Sequence, residues 1–133
     1  RVSAGLLDAL TGTRLPVVMV LHANHPNEID TEVTTACAEL RGAGITLLNQ
    51  AVLLREINDS PDTLCRLSEV LFDAGILPYY LHMLDRVAGA SHFEVDESVA
   101  RSLLRALQSR LPGYLVPRFV CEIPGAPSKV LFV

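Results

Sequence analysis

A chain of 133 residues, half of them hydrophobic and with a formal net charge of −4, can bury one core of its own. This composition excludes a disordered chain, and mild acidity without a basic run argues against nucleic acid as a partner. No apolar stretch reaches the length of a membrane span and no signal-peptide pattern is present, so a soluble cytoplasmic protein is expected, with no membrane partner.

Four helix–strand pairs follow one another. Ser3 can cap a short helix with Leu6, Leu7 and Leu10 on one face, closed by Gly12. The apolar run Val17–Leu21 reads as a strand buried on both faces, as in a parallel sheet. It turns abruptly polar at His22, Asn24, His25, Asn27 and Glu28. Asp30 caps a second helix striped by Val33, Ala36, Cys37 and Leu40 and ended by Gly42. The next strand is Ile45–Leu48, running out into Asn49 and Gln50.

A polar loop, Arg55–Ser60, leads to a third helix with Ser60 as N-cap and Pro61 at the first helical position. Its stripe is Leu64, Leu67, Leu71 and Ala74, and Gly75 ends it. The third strand is Ile76–Leu81, with His82 and Asp85 beyond it, and the loop Arg86–Glu94 carries His92. Asp96 caps a fourth helix striped by Val99, Leu103, Ala106 and Leu107 and broken by Gly113. The last strand is Tyr114–Cys121, interrupted by Pro117, and the tail Glu122–Lys129 reads EIPGAPSK.

Alternating strands and amphipathic helices imply a parallel sheet, giving an α/β fold of four helix–strand units. Four units are too few to close an eight-stranded barrel, so the expectation is a small open sheet or part of a larger barrel. Arg1 is not a start methionine and the chain stops at an apolar Leu131–Val133, so residues 1–133 are expected to be a piece of a longer protein. The exposed sheet edges of such a piece favour homo-oligomerisation. Cys37, Cys65 and Cys121 are odd in number and far apart, which reads as three small buried hydrophobes in a reducing compartment.

All four histidines, His22, His25, His82 and His92, fall at or just beyond strand C-terminal ends, with Asn24, Gln50, Asp85, Glu122 and Lys129. In a parallel sheet these ends share one rim, where ligands bind and helix N-termini point their free N–H groups. Lys129 is the only lysine among eleven basic residues. Either the chain is biased toward arginine and Lys129 is a solvated tail residue, or position 129 needs an amine that can lose its proton and act as a nucleophile. Asp85 and Glu122 either hold a cationic group together or pair locally with Arg86 and Arg118. His22 and His25 are ligand contacts or hydrogen-bonded loop histidines; no third-ligand spacing supports a metal site with Glu28.

HANHPNE, LLNQAVLLREIND, LPYYLHMLDRVAGASHF and EIPGAPSK, in this order and spacing, resemble the lysine 2,3-aminomutase family of radical S-adenosylmethionine enzymes. The resemblance runs from about Leu15 to Lys129 and implies the C-terminal half of a partial, TIM-like (βα) barrel. It implies an isomerase that moves an amino group between adjacent carbons of lysine, using a 4Fe–4S cluster, S-adenosylmethionine and pyridoxal 5′-phosphate. By this likeness Lys129 links to pyridoxal 5′-phosphate, and Asp85 and Glu122 hold the ε-ammonium of the substrate lysine. The family usually has aspartate at the second of these positions. His22, Asn24, His25, Asn49 and Gln50 match the region that packs the cofactors together. The lysine loop, commonly PGGGGK, is here PGAPSK, closer to the branch that makes (R)-β-lysine for translation elongation factor P. The family's CxxxCxxC cluster motif is absent from these residues, so this piece alone is expected to be inactive. An aminomutase acting on another amino acid, or a non-catalytic α/β module binding a phosphorylated ligand or a protein, are the alternatives.

Overall fold

In the computed structural model the described residues are 2–84, 94–121 and 130–131. Helix α1 (Ala4–Thr11) leads to strand β1 (Val18–His22), a 3-10 turn (Pro26–Glu28) and helix α2 (Thr31–Gly42). Strand β2 (Thr46–Val52), helix α3 (Pro61–Asp73), strand β3 (Ile76–His82) and helix α4 (Glu97–Arg110) follow. A second 3-10 turn (Gly113–Leu115) precedes strands β4 (Arg118–Cys121) and β5 (Val130–Leu131). The strands lie in the order β1-β2-β3-β4-β5. The first four are parallel, and β5 is antiparallel to β4. The parallel order of β1–β4 is the parallel sheet that the alternation of elements implied, and it is consistent with part of a βα barrel, as the resemblance implied; the short antiparallel β5 was not anticipated.

The caps act where the sequence puts them. Ser3, Asp30 and Ser60 accept backbone N–H groups of Leu6, Val33 and Thr63. Asp96 occupies the N-cap of α4 but makes no side-chain cap bond. Several boundaries differ from expectation. Helix α2 runs through Gly42, and the left-handed residue that follows it is Gly44, at φ 87°. Helix α4 stops at Arg110, just ahead of Pro112, instead of reaching Gly113. Its buried stripe is Ala100, Leu103 and Leu107, while Val99, one residue round the helix, is exposed. Pro117 has no N–H for the ladder, so the expected strand Tyr114–Cys121 is reduced to Arg118–Cys121 behind a 3-10 turn.

Strand β2 extends two residues past Gln50, to Val52, so Asn49 and Gln50 lie inside the strand and not after it. Pairing between β2 and β3 slips by one residue at Asn49/Gln50, which pair with Pro78 and Tyr80 and leave Tyr79 as the extra residue of a bulge. Pro78 cannot donate to the ladder, which is the local reason for the bulge.

Leu47, Ala51, Ile76, Leu81 and Phe119 share one face of the sheet and pack in one core with Leu64, Leu67 and Leu71 of α3 and Ala100, Leu103 and Leu107 of α4. The alternating residues of β1–β4 face the other way. Cys37 and Cys65 are buried in the helix-side core, but Cys121 is only half-buried at the end of β4, which corrects the expectation of three buried thiols. Burial pushes the Cys37 and Cys65 thiols up from their ordinary range, with Arg41 and Arg110 opposing the shift.

Candidate functional site at the strand C-terminal ends

Register brings His22 of β1 beside Gln50 of β2, Gln50 beside Tyr80 of β3, and Tyr80 beside Arg118 of β4. These four side chains form one row across the face of the sheet that the helices do not cover. Gln50 and Tyr80 are half-buried, while His22 and Arg118 are exposed. His82 lies two residues beyond Tyr80 on the same face, and the two rings meet edge to face with centroids 5.8 Å apart. At the bulge the Tyr79 and Tyr80 rings lie 3.9 Å apart. A side-chain hydrogen bond to Tyr80 raises the Tyr79 phenol above its ordinary range, while the charge of Arg118 works against the rise. The row offers imidazole, amide, phenol and guanidinium donors beside flat aromatic surface, a set suited to a polar heteroaromatic ligand carrying an anionic group.

Asn49 does not join this row. It alternates with Leu47 and Ala51 toward α3, is 2% exposed, and turns its amide onto the backbone of Ala23. Asn24 follows the end of β1, and its Oδ1 accepts the Val52 N–H at 2.9 Å, carrying the β1–β2 pairing two residues past the last ladder pair by side chain. His25 caps the following 3-10 turn, its Nδ1 accepting the Asn27 N–H at 3.1 Å, so Nδ1 is used within the turn and Nε2 is the nitrogen a ligand could meet. Glu28 Oε1 accepts the Asn24 N–H at 2.9 Å.

Asn58 was passed over in the sequence as one residue of a polar loop, yet it is fully buried. Its Oδ1 accepts the Leu54 N–H at 2.8 Å, and its Nδ2 donates to the carbonyls of Asn24, at 2.7 Å, and Val52, at 2.9 Å. A loop asparagine flanked by Ile57 and Asp59 carries no local signal for this, because two of its partners belong to other strand ends.

Asp85, His92, Glu122 and Lys129 lie outside the described residues, so their convergence on this rim is expected from sequence alone. Among the described residues no group of three or more His, Cys, Asp or Glu side chains could hold a metal ion. The thiols sit on α2, on α3 and at the end of β4, an arrangement that does not fit an iron–sulfur cluster. No described helix is long and apolar enough to cross a membrane.

The L-lysine 2,3-aminomutase of Escherichia coli (strain K12) is 49% identical to this chain over 129 residues. The chain is homologous to L-lysine 2,3-aminomutases. The match covers 97% of the chain and 38% of the E. coli aminomutase. The Haemophilus influenzae L-lysine 2,3-aminomutase is 48% identical over 132 residues, covering 99% of the chain and 39% of that relative. That of Clostridium subterminale is 40% identical over 114 residues, 86% of the chain and 27% of its own length. The chain thus spans about two fifths of the length of its two nearer aminomutase relatives named here. No protein-family model matches it. The aminomutase resemblance carried by the four motifs is upheld over nearly the whole chain.

Proposed function

We propose that this chain is the C-terminal part of a radical S-adenosylmethionine, pyridoxal 5′-phosphate-dependent lysine 2,3-aminomutase that converts lysine to β-lysine. The observation that carries the proposal is the 49% identity to a named aminomutase across 97% of the chain. The row His22–Gln50–Tyr80–Arg118 supports it, since a polar, aromatic strip at strand C-terminal ends is where a parallel sheet binds ligands. When bound, the cofactors supply the radical and the electron sink for amino-group migration. The chain's own part is to hold and orient. His22, Asn24, His25, Asn49 and Gln50 shape and line the wall where the cofactors meet; Asn49 does so through the Ala23 backbone. Lys129 anchors pyridoxal 5′-phosphate, and Asp85 with Glu122 grips the substrate ε-ammonium. Cluster ligands and the partner of the substrate carboxylate belong to the rest of the protein.

The PGAPSK loop, in place of the PGGGGK common in the family, favours the branch serving elongation factor P. The test is spectroscopic. Pyridoxal 5′-phosphate added to the full-length protein gives the absorption band of a lysine-linked cofactor, and Lys129→Ala removes it; a band retained in the variant rejects the assignment. Asp85→Ala and Glu122→Ala weaken lysine binding, and unchanged affinity rejects the ammonium clamp.

A further inference from the structure

Ladder pairing of β1 with β2 stops at His22 and Gln50. The next two residues, Ala23 and Asn24, have four backbone polar groups, and each is held by a side chain. Asn49 takes both groups of Ala23, at 2.9 and 3.0 Å. Glu28 takes the Asn24 N–H and Asn58 takes the Asn24 carbonyl. These side chains come from three separate segments: β2, the 3-10 turn and the loop before α3. Two of them, Asn49 and Asn58, are buried amides, which hydrophobic packing alone would not require. The dipeptide they hold separates His22 from His25. Both N–H groups of Asn58 are spent on carbonyls, one from the β1 end and one from β2, so this residue ties the two strand ends together.

We infer that Asn58 is a positioning residue, which fixes the Ala23–Asn24 segment so that His22 and His25 are presented to ligand at a set spacing. It acts through the backbone and touches no ligand. The advantage of such a grip is preorganisation, since a group held in place loses no freedom on binding. The function assigned to the two histidines rests on the aminomutase reading; the grip itself does not.

The experiment uses the full-length protein. Asn58→Asp keeps the size of the side chain and the acceptor for Leu54 but removes both donated bonds. Leu103→Ala, in the α4 core, serves as a comparison, with urea added to bring the two variants to equal stability. S-adenosylmethionine binding is measured by equilibrium dialysis. The expected result is a dissociation constant raised about tenfold in Asn58→Asp and unchanged in Leu103→Ala, a difference of about 1.4 kcal/mol. Equal affinities in the two variants overturn the inference. Should Asn58→Asp not fold, amide hydrogen exchange in the unmodified protein decides. Protection of the Leu54 amide, which donates to Asn58, at the level of the β2 core supports the grip, and exchange at loop rates overturns it. If the unmodified protein binds no S-adenosylmethionine, the aminomutase reading fails, and exchange still judges the grip.

Discussion

Asn49 holds Ala23 by both ends of its amide: Oδ1 accepts the Ala23 N–H at 2.9 Å and Nδ2 donates to the Ala23 carbonyl at 3.0 Å. The side chain thereby extends the pairing of β1 where β2 no longer supplies it. Asn49→Leu fills similar space and leaves two backbone groups beside a buried residue without partners. Each such group costs about 1–3 kcal/mol when removed from water, so the expected destabilisation for the two is about 2–6 kcal/mol. Urea unfolding should show a lower midpoint with unchanged slope. A change near zero would mean that water replaces the amide freely.

This bond also explains what the sequence showed and what it hid. Helix starts were legible because Ser3, Asp30 and Ser60 cap locally, within three residues of the N–H they accept. The order of elements was legible because the apolar period is local too. Asn49 and Gln50 read as the end of a strand because polar residues usually are; only Ala23, 26 residues away, makes a buried amide tolerable there. The bulge at Tyr79 needed the register of β3 against β2, and Val99 gave way to Ala100 because the pitch of α4 against the sheet decides the buried face. At the candidate site, the neighbourhood of His22 and Gln50 follows from parallel register, whereas Asn58 was hidden because its function lies in partners at 24 and 52.

Gly75 and Gly44 both have positive φ, 80° and 87°, but differ in what surrounds them. A Cβ at Gly44 meets open space, while one at Gly75 runs into the Arg41 guanidinium. Gly44→Ala should therefore cost about 1 kcal/mol, for the left-handed backbone alone. Gly75→Ala should cost about 2 kcal/mol, since Arg41 must also move. In an Arg41→Ala background the cost at Gly75 should fall to that at Gly44, checked by a double-mutant cycle in thermal unfolding.

Burial raises the Cys37 and Cys65 thiols, whereas Cys121 is half-buried. Alkylation of the folded protein at mildly alkaline pH should label Cys121 first and reach the other two only on unfolding. The same shifts set the sign of a pH effect. The folded state keeps these protons to higher pH than the unfolded chain, so their contribution is constant below the ordinary thiol pKa of about 8.5 and stability falls as pH rises above it. Replacing both thiols by alanine should flatten that alkaline decline in denaturation curves taken across the range.

Strand β1 has β2 as its one neighbour among the described strands, and apolar side chains lie near that open edge: Val18 is 54% exposed and Leu15 74%. An edge with free N–H and C=O groups and exposed valine is a template for another strand. The 133-residue chain alone should therefore self-associate, with an apparent mass in light scattering that grows with concentration. Val18→Lys places a charge on the edge strand where the side chain is already half in water, so stability should move by less than about 0.5 kcal/mol. Association should nevertheless fall, because each added strand would have to desolvate the ammonium. A chain that stays monomeric before the substitution, or associates equally after it, would show that the edge is covered from within.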